Sequence, residues 1–410
     1  MNETLVTTAD AEIPEAEERQ AISNVAFTGK ALPLFKLLLK NIVLTILTLG
    51  IYRFWAKTWL RRYFWNNVTI EKEPFEYTGQ PKELFMGFLI ALAVLVPFGI
   101  FDNYSASLVG SYPNLQIPYS IAFYSALYLL IQFAFYRMWR YRMTRTAWRG
   151  IHFGLDGTAR KFVALSLFWT VITILTLGLA SPWSRTALAR YRINNSHFGD
   201  SYFSFYGSGK DLIFPWMIAY AIPITLIVTW GWMNFEQAAE ILNATQVNPG
   251  ESISIDGLKF AGIPWFAGFI FPLLFIWYKA REFRYFVNST QLGDITLSSK
   301  LSTGTVVGLF VATYLLVSIA IPLFVLPPVF IFGEMPTLSS VHLSFIAAFI
   351  VLLLIVPLLT QGFLRYQLTK LFCRQLSINE TSKLEAIAQS TRPAPERGEG
   401  FADALDVGAI

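Results

Sequence analysis

The sequence predicts an α-helical polytopic membrane protein. It would have six membrane-crossing helices in three related hairpins, two re-entrant or interfacial elements, and a small cytoplasmic β layer. Three observations predict this. Of 410 residues, 54% are hydrophobic and 14% charged, whereas a soluble domain carries about 25% charge. Uncharged stretches long enough to cross a bilayer recur along the chain. A block around residues 45–84 is repeated downstream at a fixed offset, the mark of a repeat architecture. The mean hydropathy of +0.47 excludes a disordered or an ordinary soluble protein. A single cysteine, Cys373, excludes an internal disulfide framework and a cysteine zinc site.

Residues 1–22 form an acidic tail with neither a basic n-region nor an apolar core, so they are expected to be unstructured rather than a secretory signal. Residues 23–150 make the first membrane repeat. Its first apolar stretch, Asn41–Tyr52, offers only 12 uncharged residues. A crossing needs roughly 20, so this element is expected to dip in and return. Leu84–Phe101 and the apolar part of 119–136 then form a hairpin.

Residues 151–283 make the second repeat. Phe162–Ser184 has 23 uncharged residues but contains Gly178 and ends in Ser181-Pro182-Trp183, which break a helix early. Leu212–Phe235 and Phe260–Tyr278 are its hairpin. Residues 284–378 contribute a third, from Leu301–Gly333 and Met335–Leu364. Residues 379–410 are polar, with Arg392-Pro-Ala-Pro-Glu-Arg397, and are expected to be an unstructured tail.

Charge in the loops decides which stretches cross. Loop 102–118 has no Lys or Arg, and loop 233–259 has a single Lys259 against four carboxylates. Loops 137–161, 181–211 and 279–303 are rich in Arg and Lys. Basic loops stay on the cytoplasmic side. All of them do so only if 41–52 and 162–184 fail to cross. That gives six crossings with both termini cytoplasmic.

Thr45-Ile-Leu-Thr-Leu-Gly50 recurs unchanged as Thr173-Ile-Leu-Thr-Leu-Gly178, and the same offset of 128 pairs Trp55 with Trp183, Arg62-Tyr63 with Arg190-Tyr191, and Asn66-Asn67 with Asn194-Asn195. Arg284-Tyr285 and Gly293-Asp294 begin a partial third copy. The run Leu47-Thr-Leu-Gly-Ile-Tyr-Arg-Phe-Trp-Ala-Lys-Thr-Trp-Leu-Arg-Arg-Tyr63, with Phe75-Glu-Tyr-Thr-Gly79 and Glu83-Leu-Phe85, resembles the YjgN-like family, domain of unknown function 898, over roughly residues 25–375. The second copy departs from it, with Ala180-Ser-Pro-Trp-Ser in place of Tyr52-Arg-Phe-Trp-Ala. The resemblance implies a bacterial inner-membrane location and carries no activity over to this chain.

Arg53, Lys57 and Arg61 stand four apart, as do Trp55, Trp59 and Tyr63. Such rows give a helix one basic and one aromatic face, suited to headgroup depth. With their second-copy counterparts Trp183, Arg185 and Arg190, these residues are candidate contacts for anionic lipid headgroups; the plainer alternative is positive-inside anchoring. Basic and aromatic clustering also suits nucleic acid, but rows beside membrane helices point to lipid, and no nucleic-acid partner is expected. Short alternating pieces at 68–77, around Glu71-Lys-Glu-Pro74, and at 197–205 and 291–297, around Gly-Asp turns, predict strand-turn-strand units. Phe27-Thr-Gly29 and Ile151-His-Phe153 read as single strands.

No His-Glu-x-x-His, phosphate loop or Gly-x-Ser-x-Gly occurs, so no catalytic, metal or cofactor residue is assigned and no enzyme is expected. His152, His197 and His342 read as structural. The predicted crossings hold almost no ionisable side chain, which argues against proton-coupled pumping. Two function classes remain: a channel- or facilitator-type transporter for a solute or lipid, and a non-transporting scaffold that binds anionic headgroups.

Overall fold

A computed structural model describes residues 22–233, 235, 262–331 and 356–389. Among the described residues, three helices are long and apolar enough to cross a membrane: Pro81–Val109, Pro113–Thr144 and Gly209–Met233, the last beginning with a short 3₁₀ turn. Gly262–Asn288 and Thr303–Ile331 are further long helices. The predicted crossing over Met335–Leu364 lies mostly outside the described residues, as do the first 21 residues and 390–410.

The β layer is larger than the sequence suggests. Among the described residues, eleven short strands pair antiparallel throughout. They are β1 Ile22–Asn24, β2 Ala26–Phe27, β3 Val68–Ile70, β4 Glu73–Tyr77, β5 Thr146–Trp148, β6 Ile151–Leu155, β7 Ser196–Phe198, β8 Ser201–Phe205, β9 Thr290–Leu292, β10 Ile295–Ser299 and β11 Leu376–Asn379. In space the order runs β1-β11-β10 and onward to β3-β2. Its two ends, β1 and β2, are consecutive in the chain and joined by Val25, whose N–H reaches the Leu376 carbonyl at 3.4 Å. One bent strand therefore pairs with β11 on one side and β3 on the other, and the sheet returns on itself. Closure of this kind leaves no exposed edge.

Alternation fills the interior. Val25, Ile70, Trp148, Phe198, Leu292, Ile295 and Ile378 form one buried cluster, with Phe75, Phe153 and Phe203 packed against it. Strands from all three predicted membrane segments thus share one core. Each hairpin turns on two residues. Glu71-Lys72 and Arg149-Gly150 both have positive φ, whereas Gly199 and Gly293 alone are positive in the two Gly-Asp turns. These are the primed turns whose twist matches a hairpin.

Four times a helix leads into a hairpin and a second helix leads out. Arg53–Asn66, Pro113–Thr144, Ser181–Asn194 and Gly262–Asn288 enter, and the exits begin at Pro81, Ala159, Gly209 and Thr303. A fifth unit is split between the ends of the chain. Arg365–Gln375 enters β11, and β2 leaves into Ala31–Leu47. Sequence comparison finds only three copies because the fifth is divided and the second lacks the paired asparagines. The hairpin turns lie at one end of the barrel and the helices at the other.

The turn end is covered by chain expected to be a loose tail. Residues 380–389 are folded there, with Leu384 and Ile387 buried in the barrel core. The Ala388 carbonyl accepts from the Asp200 N–H at 3.1 Å, the Gln389 side chain from the His152 N–H at 3.1 Å, and Lys383 pairs with Asp294 at 3.2 Å. The apolar Leu384 and Ile387, three apart in a polar stretch, are what dock it. This corrects the expectation that the unstructured tail begins at Asn379.

Candidate functional site

The two Leu-Thr-Leu-Gly elements have one geometry. Helix Ala31–Leu47 stops, turns, and returns as Arg53–Asn66; helix Ala159–Leu175 does the same into Ser181–Asn194. Residues 162–184 are therefore not a continuous helix. The motif explains the turn chemically. The Thr48 hydroxyl donates to the Leu44 carbonyl at 2.7 Å and accepts from the Tyr52 N–H at 2.9 Å. Thr176 repeats this with Ile172 and Ala180, at 2.8 and 3.1 Å. The Gly50 and Gly178 N–H groups each reach back to a threonine carbonyl at 2.7 Å. Gly50 and Gly178 sit at φ +89° and +90°, and the leucines before them are left-handed too. Helices commonly close with such a glycine; a leucine there is strained.

The tips are apolar and uncovered. Leu49 is 94% and Leu177 79% exposed, flanked by exposed Leu47, Ile51, Ile174 and Leu175. Below the first tip, Lys36, Leu39, Lys40, Val43 and Leu44 share one open face of helix Ala31–Leu47.

The predicted headgroup residues divide. Arg53 is exposed and lies 5.3 Å over the Phe54 ring; Trp59 is exposed and Lys57 half-buried. Trp55 is half-buried between Tyr52 and Phe85. Arg61 is buried, 4% exposed, and donates to the Tyr77 hydroxyl at 3.0 Å. It does not share an outward face with Arg53, because the returning helix buries the stripe Phe54, Thr58, Arg61 and Phe64. In the second copy Trp183 is half-buried against Gly209. Arg185 pairs with the buried Glu282, which Lys279 also meets at 3.1 Å. Arg190 donates to the Gly207 carbonyl at 2.7 Å.

That last bond belongs to a series. Arg62 donates to the Gly79 carbonyl at 3.1 Å and Arg284 to the Leu301 carbonyl at 3.3 Å, each 17 residues on, as for Arg190. The tyrosine after each arginine reaches the neighbouring unit. Tyr63 donates to Lys30, Tyr191 to Thr158 and Tyr285 to Asp211, while Tyr141 donates to Glu83. The repeated asparagines also serve the fold: Asn194 accepts from the Phe205 N–H at 2.8 Å and Asn288 from the Ser299 N–H at 2.6 Å. Arg-Tyr and Asn thus lock helices to strands. The recurrence that marks a repeat in the sequence marks joints in the structure.

His197 is buried, with Nδ1 3.0 Å from the Gly199 carbonyl and Nε2 3.4 Å from Asp156, a structural setting as expected. Sequence reasoning missed Glu282. It lies among Lys279, Arg281 and Arg284, and only the fold brings Arg185 to it.

No solved structure matches the chain. Over 168 residues it is 28% identical to the inner membrane protein YjgN of Salmonella typhimurium (strain LT2), an alignment covering 38% of this chain and 40% of that protein. The family described as bacterial protein of unknown function (DUF898) matches residues 22–404. A membrane protein by its long apolar helices, the chain belongs to the DUF898 family, as the Leu-Thr-Leu-Gly and Arg-Tyr elements lead one to expect.

Proposed function

We propose that this is a multi-pass inner-membrane protein, with cytoplasmic termini, whose helical collar binds anionic lipid headgroups. The observation that carries the reading is the pair of apolar tips, Leu49 and Leu177, each followed by a helix bearing cations and tryptophans. An apolar tip enters acyl chains while tryptophan and cations a turn or two away meet the headgroups. Lys36 and Lys40, on the helix beneath the first tip, add two cations beside Leu39, Val43 and Leu44. The inner-membrane location of the Salmonella relative supports the compartment.

The contact set centres on Arg53 and Trp59, which are exposed, with half-buried Lys57, Trp55 and Trp183 beside them; Arg61 is buried, and Arg185 and Arg190 brace the Glu282 carboxylate and the Gly207 carbonyl. An axial channel loses support. The barrel is filled by aromatic and aliphatic side chains and covered at its turn end by residues 380–389.

The test is lipid selection. Wild-type protein purified from mixed phosphatidylglycerol and phosphatidylcholine bilayers should retain phosphatidylglycerol preferentially. Arg53→Gln with Lys57→Gln should cut that preference roughly fivefold per cation, since each near the surface is worth about 1 kcal/mol, and reduce its salt sensitivity. Insertion should be unchanged. Wild-type selection in the double variant would overturn the proposal.

A further inference from the structure

The five units share a register that pattern reading of the chain does not reveal. Trp55, Phe133, Trp183, Trp277 and Phe363 each stand 13 residues before the first residue of the strand that follows, at Val68, Thr146, Ser196, Thr290 and Leu376. None of the five is buried. At 1.5 Å of rise per residue, equal leads set one aromatic ring per unit about 20 Å from the strands. We propose that this belt of rings lies at the cytoplasmic boundary of the bilayer, and that Trp277 with Arg281 forms a binding site for the phosphate of an anionic lipid headgroup. The proposal rests on the reading of the collar as a headgroup-binding surface and adds a site in the fourth unit, separate from Leu49, Arg53 and Lys57 in the first.

Charge begins at the belt. In helices Pro113–Thr144 and Gly262–Asn288, residues 113–132 and 262–276 are uncharged, and every Lys, Arg and Glu follows the belt residue. On the uncharged side Leu130 and Ile131 of one helix and Phe271 and Leu273 of the other are exposed. Aromatic rings at the point where apolar surface gives way to cations sit at headgroup depth.

One turn toward the barrel, the second and fourth units carry an arginine on their belt residue. Arg137 lies 5.6 Å over the Phe133 ring and Arg281 4.6 Å over the Trp277 ring. Arg281 thus stands on the water side of its indole, as a snorkelling cation does. Its side chain is half-buried and its Nε is buried, yet no hydrogen bond or ion pair holds the guanidinium among the described residues. Glu282, the carboxylate next in sequence, is engaged by Arg185 and Lys279. The indole covers a face of the guanidinium plane and leaves the N–H groups at its edge for an acceptor. A planar fork of this kind meets phosphate oxygens two at a time. The belt then decides the source of the phosphate, because a group held at headgroup depth beside apolar surface meets a lipid before a soluble anion.

The test counts lipid and measures depth. Full-length protein is reconstituted in nanodiscs of mixed phosphatidylglycerol and phosphatidylcholine, and the lipid it retains on extraction is counted. Arg281→Gln should lower the preference for phosphatidylglycerol about fivefold. Arg281→Lys should lower it less, because it keeps the charge and loses the fork. The loss should add to that of Arg53→Gln with Lys57→Gln. Selection lost only in the Arg53 and Lys57 variant would overturn the Trp277–Arg281 site and leave the first hairpin as the binding surface; selection lost only in Arg281→Gln would support this site and overturn the first. In phosphatidylcholine discs at constant ionic strength, inorganic phosphate should not raise the melting temperature. A rise that Arg281→Gln abolishes would assign the site to a soluble anion and overturn the lipid assignment. Nitroxide labels at Phe133→Cys, Trp277→Cys and Phe363→Cys, each with Cys373→Ser, should report depths within about 3 Å of one another, two residues of helix rise, and all shallower than a label at Leu49→Cys. A Trp277→Cys label as open to a water-soluble nickel complex as one at Lys72→Cys would overturn the belt. Should Arg281→Gln fail to insert, Arg281→Lys and the label depths decide.

Discussion

The two Leu-Thr-Leu-Gly hairpins share every residue that shapes their turn and differ in what holds them. Among the described residues nothing would meet a Cβ added at Gly50, and Leu49 stands almost wholly uncovered. Around Gly178 the ring of Tyr220 closes to about 3.0 Å, the Tyr220 hydroxyl bonds the Leu177 carbonyl, and Trp216 donates to the Gly178 carbonyl at 3.1 Å. Below the second turn Arg185 pairs with the buried Glu282. Local sequence fixes the shape of a re-entering hairpin, and neighbouring helices decide whether it is clamped. The first is left open to the surroundings; the second is part of the framework.

Removing the clamp's charge should have the largest effect. Glu282→Ala leaves Arg185 and Lys279, each about one-third exposed, without the buried carboxylate they share. Losing these charge-assisted contacts should cost about 3 kcal/mol. Chemical unfolding in detergent should show the loss, and Arg185→Met in the same background should recover part of it. A Glu282→Ala protein as stable as wild type would mean the second hairpin is not clamped by charge.

The glycines sharpen the contrast. Gly50→Ala carries only the left-handed backbone cost, about 1 kcal/mol. Gly178→Ala adds a collision with Tyr220 and should cost about 2–3 kcal/mol. Equal losses in parallel melts would show that the Tyr220 contact has no energetic weight.

Smaller still is Trp216→Phe, which removes one hydrogen bond to the second turn and should cost about 1 kcal/mol with no change in lipid selection. The smallest effect concerns the fifth unit. Cys373 is buried and its thiol is pushed up to about 11 by burial. Maleimide at pH 7 should label it far more slowly than a denatured control. Rapid labelling of the native protein would mean that Arg365–Gln375 is not packed against the barrel.

Much of this was legible in the sequence. The turns at Gly50 and Gly178 follow from threonine and glycine at fixed places, and the Gly-Asp hairpins from their dipeptides. Pro81 opens its helix in a capping box between Gln80 and Glu83. Barrel closure was not legible. It depends on β1 and β2 meeting strands some 350 and 40 residues away, and a two-residue strand such as Ala26-Phe27 has no period to read. Nor could a helix-face argument show that Arg61 points inward while Arg53 points out. Equal spacing along a helix fixes relative direction, and only packing shows which direction is the core.

Label depth at Leu49 tests whether the first hairpin opens to the bilayer. A nitroxide label at Leu49→Cys, in a Cys373→Ser background reconstituted in nanodiscs, reports depth through its accessibility to oxygen and to a water-soluble nickel complex. Lys72→Cys, at a barrel turn, is the aqueous reference. The Leu49 label should be reached by oxygen and shielded from nickel, at acyl-chain depth, while the Lys72 label should be reached by nickel. A Leu49 label as open to nickel as the one at Lys72 would contradict it.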